Sequence, residues 1–429
     1  MALVSTPAPA VDQYERGALS RAGTLGHLTA QETALLRALW RKLLEALRTA
    51  AAPAAGPGPA KRSVRGLQAG GNGGNGGGGW FGFGAKAEDV AYRQTVHAVA
   101  PASSAPPEFD GARRARTVRE AFWAATLCDH PDVLVLRFLR ARKWKVDDAL
   151  QMLLACLRWR VDEEIDWLNW HGESALNYAL LQRGIGALRK TDRLGQPVLH
   201  IPVRLNDPSA QPREQIIDYT IYLMEVARIH LRPPAEKVCL LFDTTDMSVA
   251  NMDWTFFKTF LNYLEHYYPE CLGLVLIYNA SWVFYSLWKL ISPLLDPVVA
   301  SKVHFASSPP DLQKFIAPDA LPVHLGGTDA FKYEYALPTA NENYHMRDDD
   351  ARSRADAQRA AAADRFEAAT AAWAAEAVLD AAALESLDAE RARIAADLAA
   401  ANRSLDKHIR ARTLYHRIGV IDDAMAVRW

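Results

Sequence analysis

The chain has 429 residues, enough for one sizeable core with appendages or for two or three domains. Half of the residues are apolar and 23% are charged, the balance of an ordinary soluble globular protein. A formal net charge of −1 excludes a global electrostatic draw toward nucleic acid or an anionic surface, so any charge-based recognition must be local.

In chain order, the first 28 residues carry little pattern and lack the basic and apolar regions of a secretory signal. Thr29 then caps a helix, Glu32 completes a capping box, and Leu35, Leu36, Leu39, Trp40, Leu43, Leu44 and Leu47 form an apolar stripe. Composition shifts sharply at residues 50–84, which are rich in Ala, Pro and Gly. Such a stretch buries too little surface to offset its ordering entropy, which predicts a disordered insertion running on as a linker to residue 108. Helical periodicity resumes from 109 to 165. Phe122, Trp123 and Leu127 mark one helix, Asp132 begins a second and Asp147 a third.

From 166 to 330 the pattern alternates. Strands are predicted at 198–203, 237–242, 272–278 and 302–305, and helices at 213–231, 253–266 and 282–291. The strands are near-continuous apolar runs, as expected when both faces are covered. Helical crossovers between them imply mainly parallel pairing, hence an α/β architecture of a sheet flanked by helices. The last part, 331–429, is Ala-rich. Leu384, Leu387, Ile394, Leu398 and Leu405 fit a short heptad seam, which suits either a helical hairpin packed back on the domain or a dimerising coiled coil. The unit boundaries are therefore 1–50, 51–108, 109–165, 166–330 and 331–429.

No uncharged apolar run reaches the roughly 18 residues of a membrane span. The richest candidate, 272–295, is broken by Lys289 and Pro293. Cys128, Cys156, Cys239 and Cys271 lie far apart, and reduced core thiols of a cytoplasmic protein suit them better than a disulfide or zinc site. The sequence has no GxSxG elbow, no HExxH, no Walker A loop and no GxGxxG, so a binding protein rather than an enzyme is expected. Asp243, at a strand's carboxyl end, and His266, His304 and His324 are the residues a concealed lipid-modifying activity would use.

Four stretches in order resemble the CRAL-TRIO family, in particular its fungal phosphatidylinositol-transferring members. They are LRFLRARKWKVDDAL (136–150) followed by LRWR (157–160), KTDRLGQPVL (190–199), LLFDTTDMSVANMD (240–253), and YYPECLGLVLIYNASWVFYSLWKLISPLLDPVVASKVHF (267–305) closing with LPVHLGG (321–327). The resemblance covers about residues 110–330. It implies a CRAL-TRIO lipid-binding fold with a hydrophobic cavity and a gate helix, here 282–291, hinged at 279–281 and at Leu295, Asp296 and Pro297. No cofactor is implied beyond a bound lipid.

The resemblance also assigns residues. The family's phosphatidylinositol headgroup site maps onto Arg142, Glu270 and Lys302, whose residue types suit a phosphate and inositol hydroxyls. The alternative is that Glu270 only neutralises a semi-buried cation. A hydroxyl residue usual three positions before the lysine is Val299 here. The family's phosphocholine-binding positions map onto Val238, Leu240, Leu188 and Leu199, all apolar, so the second ligand is expected to be less polar than phosphatidylcholine, such as a sterol or a hydrocarbon-like lipid. The gate carries Trp282, Val283, Phe284, Tyr285, Leu287, Trp288 and Leu290 with Lys289 as its main polar break. A helix apolar on both faces needs cover on both, from a lipid chain inside and a membrane surface outside. The expected protein is thus cytoplasmic and visits membranes peripherally, with no nucleic-acid partner. A scaffold whose C-terminal helices recruit a protein partner is the competing reading.

Overall fold

The computed structural model describes residues 21–49, 101–109, 117–375 and 380–429. The Gly-rich stretch at 50–84 and the linker to residue 100 lie outside the described residues. Residues 101–108, expected to be disordered, are instead packed. The Trp170 indole donates to the Pro107 carbonyl (2.7 Å), and the Ser103 and Ser104 carbonyls accept from Asn341 N–H (3.1 Å) and Asn343 Nδ2 (2.8 Å). These partners lie far along the chain, where local composition gives no warning of them.

Helix α1 (Ala30–Thr49) starts at the expected capping box: Glu32 N–H donates to Thr29 Oγ1 (3.2 Å), and the Glu32 carboxylate accepts from Thr29 N–H (2.8 Å). α2 (Val118–Thr126) is capped in the same way by Thr117 and Glu120. α3 (Pro131–Ala141) is capped by His130 and not by Asp132, which is turned inward to accept from Trp40 Nε1 (2.7 Å) and Arg391 Nη2 (2.6 Å). α4 (Val146–Asp162) completes the helical unit. Short α5 (Ile165–His171) and α6 (Tyr178–Arg183) lead into the sheet.

Five strands follow in spatial order β1-β2-β3-β4-β5. β1 (Ala187–Thr191) and β2 (Pro197–Pro202) form an antiparallel hairpin, while β3 (Val238–Asp243), β4 (Leu272–Tyr278) and β5 (Val303–Ala306) continue in parallel. The hairpin turn is held by Asp192, whose carboxylate accepts from Leu194 and Gln196 N–H (2.9 Å each), with Gly195 at φ 77. The expected α/β class therefore holds, with one antiparallel edge strand that the periodicity reading missed. α7 (Arg213–His230), α8 (Trp254–His266) and α9 (Trp282–Ile291) make the crossovers, with one-turn α10 (Pro297–Ala300) before β5 and α11 (Pro309–Gln313) after it. The two-residue period of the strands splits their side chains between two layers. Val198, Cys239, Leu241, Leu274, Leu276 and Ala306 pack on Leu312, Phe315, Ile316 and Leu321. Val238, Leu240, Val275 and Ile277 point the other way, toward α7, α8 and α9.

α12 (Asp349–Ala374) and α13 (Ala381–Ile409) form an antiparallel hairpin, registered by Arg365–Asp397 (3.1 Å) and by Arg391 Nε donating to Thr370 Oγ1 (3.0 Å). Its seam is not left for a second copy. Ile394 and Leu398 are buried against α1, α2 and α3, in a core containing Trp40, Phe122, Phe138, Phe366 and Trp373, and Leu384 and Leu387 are half-buried beside it. The tail, with α14 (Leu414–Arg417), covers the open edge of the sheet: the Leu188 N–H of β1 donates to the Tyr415 hydroxyl (2.7 Å). Glu173 anchors this tail by accepting from the Tyr222 and Tyr335 hydroxyls (2.9 and 2.7 Å), Leu414 N–H (2.6 Å) and Arg417.

A fully buried ion pair joins the helical unit to the sheet layer. Arg160 of α4 donates through both Nη atoms to Glu225 of α7 (2.9 Å each), and the Tyr268 hydroxyl donates to the same carboxylate (2.9 Å). Burial pushes the Glu225 carboxyl up, but the Arg160 charge and hydrogen bonds outweigh it and hold the group well below the usual carboxylate range. Replacing Glu225 with Leu strands the Arg160 guanidinium without its counter-charge. A loss of about 3–5 kcal/mol is expected in denaturant unfolding at neutral pH, and a change under 1 kcal/mol would show that the pair does not hold the two layers together.

Candidate functional site

The layer between the sheet and α7, α8 and α9 is not filled. About 1800 Å³ of atom-free space, mouth included, lies between β2, β3 and β4 on one side and these helices on the other. Leu199, Val238, Leu240, Val275 and Ile277 form its floor. Phe256, Phe257, Phe260 and Leu264 of α8 face it, and no residue of α8 is fully buried, as expected for a helix bordering open space. Ile216, Tyr219, Leu223, Met224 and Ala227 of α7 close the opposite side.

The polar side chains of the lining already have partners in the protein. The Tyr219 hydroxyl donates to the Gly186 carbonyl (3.0 Å), Thr220 Oγ1 to the Ile216 carbonyl (2.7 Å), Tyr268 to Glu225, and Arg228 to the Ala125 carbonyl. Asn206 and Asn251 each donate to the other's backbone carbonyl (2.8 Å both ways). Asp253 caps α8, and Cys271 Sγ accepts from Arg137 Nη1 (2.9 Å). The cavity thus offers an occupant apolar surface and few vacant hydrogen-bonding groups.

α9 forms one wall. Phe284, Leu287 and Ile291 recur at helical spacing and are buried, Trp288 is half-buried, and Phe284, Trp288 and Ile291 line the cavity. The opposite face is bare: Trp282 is 80% exposed, Leu290 62% and Tyr285 41%. Val298 of α10, 51% exposed, adds to the exposed apolar residues that follow the gate. The side chain of Val283 lies outside the described residues. Asn279, at φ 54, precedes the helix and donates to Thr245 Oγ1 (3.1 Å); Ser281 caps it; Asp296 caps α10 by accepting from Val298 N–H (2.8 Å).

At the other end, the amino ends of the parallel strands carry charge. Lys237 precedes β3, Glu270 lies two residues before β4, and Lys302 precedes β5. In each case the next residue, Val238, Cys271 or Val303, lines the cavity, so the three charges sit on its rim. Glu270, at φ 56, has Lys237 Nζ 4.0 Å away. Burial lowers the Lys237 pKa, and the nearby Lys302 charge lowers it further against the pull of Glu270. Arg140 of α3 donates to Glu236 (3.1 Å) beside the same rim. Arg142 lies in a surface cleft with Asp148, Gln151, His266 and Tyr267, and among the described residues no hydrogen bond or ion pair joins it to Glu270 or Lys302.

The sequence reading therefore named Glu270 and Lys302 of this rim but not Lys237, Arg137 or Arg140. For the two arginines a signal was available, because Arg137 and Arg140 are three apart on one face of α3. Of the four positions compared with a choline site, Leu199, Val238 and Leu240 line the cavity, while Leu188 packs beside Tyr415. Val299 also lines it. Asp243 accepts from Arg204 Nη1 and Thr245 N–H (3.0 Å each), an arrangement that ties down a strand end. His304 lies on the far face of the sheet against Phe315, and among the described residues no group of three or more His, Cys, Asp or Glu is arranged to hold a metal ion.

The family model for the CRAL/TRIO domain matches residues 181–327, and that for the CRAL/TRIO N-terminal domain matches 89–155. A CRAL-TRIO domain-containing protein of Schizosaccharomyces pombe is 36% identical over 314 residues, covering 71% of this chain and 69% of that protein. The phosphatidylinositol transfer protein CSR1 of Eremothecium gossypii is 32% identical over 323 residues, 73% of each chain. The Sec14 cytosolic factor of Schizosaccharomyces pombe is 27% identical over 215 residues, 46% of this chain and 74% of that protein. A five-stranded sheet with an apolar cavity beneath α9, together with relatives this similar over most of their length, places the chain in the CRAL-TRIO family of lipid-binding and lipid-transfer proteins.

Proposed function

We propose that this protein withdraws single lipids from membranes and carries them, with phosphatidylinositol as the headgroup-recognised ligand exchanged against a less polar second lipid. The carrying observation is the cavity, whose polar lining groups are already bonded within the protein. A hydrocarbon chain, a sterol or a hydrocarbon-like lipid loses nothing on entering it. A phosphocholine group would have to break existing bonds or stay unpaired, at about 1–3 kcal/mol per buried group. The rim formed by Lys237, Glu270 and Lys302 supports the headgroup half of the reading: ammonium groups meet the phosphate, and the carboxylate accepts from inositol hydroxyls.

The bare face of α9 supports the membrane half. Trp282, Tyr285 and Leu290 are suited to a bilayer interface, where an aromatic ring can keep its polar edge wet. No helix among the described residues is long and apolar enough to cross a membrane, which fits a transient, peripheral visit from the cytoplasm. The named activity of the Eremothecium gossypii relative, phosphatidylinositol transfer, points the same way. The scaffold alternative loses its main support, because the C-terminal seam is occupied within the chain.

Mass spectrometry of lipids retained by the native protein tests the pocket. Stoichiometric phosphatidylcholine would overturn the apolar assignment. Lys302→Ala is expected to cut phosphatidylinositol transfer between vesicles at least about tenfold, the scale of one charge-assisted hydrogen bond, with the fold retained; unchanged transfer would remove the headgroup site from this rim. Arg142→Ala is the more searching variant, because its cleft is separate from the rim: a comparable loss would bring Arg142 into the bound-state site. Trp282→Asp with Trp288→Asp is expected to abolish most vesicle association in a flotation assay, and full association would exclude α9 as the docking face.

A further inference from the structure

The charges on the cavity rim do not balance. Arg140 has its own carboxylate in Glu236 (3.1 Å). Arg137 is buried and donates to the Cys271 thiol, which supplies no counter-charge while protonated. Glu270 stands 4.0 Å from Lys237, while Lys302, whose charge is felt at Lys237, has no ion pair among the described residues. Two ammonium groups and one carboxylate at the strand starts leave a local surplus of positive charge on a chain whose net charge is −1. A phosphodiester brings a single negative charge. A phosphate monoester brings about −1.5 to −2 at neutral pH, with three acceptor oxygens.

The strands set the geometry. Val238 N–H donates to the Cys271 carbonyl (2.8 Å) and Val275 N–H to the Lys302 carbonyl (2.9 Å), so β3, β4 and β5 hold the backbones of Lys237, Cys271 and Lys302 on one sheet edge. The side chain of Lys237 keeps 31% of its exposure, enough to reach a ligand at the rim without leaving its strand. Lys237 lies outside the Arg142, Glu270 and Lys302 set implied by family resemblance.

We propose that Lys237, beside Glu270 and within reach of the Lys302 charge, is a specificity residue that makes the rim prefer an inositol lipid bearing an additional phosphate monoester over phosphatidylinositol itself. The inference rests on the headgroup reading given above. A monoester can take one oxygen to each ammonium group, while the ring hydroxyls remain for Glu270. With the monoester bound, the mutual repulsion of the two lysines becomes attraction to a shared anion.

The test uses the full chain and phosphatidylcholine vesicles carrying a small equal fraction of either phosphatidylinositol or phosphatidylinositol 4-phosphate, with bound lipid counted by mass spectrometry. The wild-type protein is expected to take up the phosphorylated lipid about tenfold better. Lys237→Met, which keeps the apolar stem, should reduce uptake of the phosphorylated lipid about tenfold more than that of phosphatidylinositol, and Lys237→Arg should retain the preference. Soluble inositol 1,4-bisphosphate separates lipid from free phosphate: weak competition supports the lipid, and displacement at the lipid's own concentration overturns it. Uptake of neither lipid defeats the headgroup reading and the inference together. Phosphatidylinositol uptake without preference, or an equal loss of both lipids in Lys237→Met, overturns the inference alone.

Discussion

The bidentate pair of Arg160 and Glu225, with Tyr268 as third partner, is the contact on which the site depends. It joins three elements that sequence keeps apart: α4 of the helical unit, α7 of the cavity wall and the loop leading into β4. The same loop is gripped again next door. Tyr267 stacks on Trp159 with ring centroids 4.2 Å apart, and the Cys156 thiol donates to the Tyr267 carbonyl (3.3 Å). Three residues on from Tyr267 stands Glu270, in a left-handed conformation that a glutamate adopts only when its surroundings over-determine it. The ion pair therefore does more than stabilise. It fixes where the rim carboxylate stands relative to the lysines on β3 and β5.

The two ends of the cavity differ in rigidity as a result. The charged end is built on strand starts and a clamped loop. The other end is a ten-residue helix between Asn279 and the capped turn at Asp296, with Trp282, Tyr285 and Leu290 exposed. Elements that open are drawn from those with the fewest buried contacts, and α8 and α9 answer that description. The proposed carrier would use this division, reading the headgroup at the clamped end while the chains pass the less covered one.

Much of this was legible in the sequence, for reasons that can be stated. β3 and β4 are continuous apolar runs, and no other role suits VCLLF or LGLVLIY between helical periods. The α1 capping box is a three-residue spacing with a known geometry. The gate announced itself by being apolar all round. β1 did not, because Ala-Leu-Arg-Lys-Thr is short and half polar, and its strand character comes from β2 and from Tyr415. Lys237 did not, because a lysine before a strand is ordinarily a solvated end, and only the approach of Lys302 and Glu270 gives it a task. Glu173 and Arg417 lie 244 positions apart, so no local pattern could pair them.

Of the two readings the C-terminal sequence allowed, a hairpin packed back on the domain is the one the fold adopts, and the extension is part of both cores. Its hairpin supplies Phe366, Trp373 and Leu398 to the helical unit, and its tail sets Trp429 against His230 (5.3 Å) at the end of α7. α7 is thus held from behind, by residues outside the matched domain, while its front faces the cavity. This bears on selectivity. A polar headgroup could enter the cavity only if the wall yielded enough to release Tyr219 from Gly186, or Asn206 from Asn251, and offer them to the newcomer. A wall braced from behind resists that exchange, so under the proposed function the pocket would discriminate among lipids by withholding hydrogen bonds.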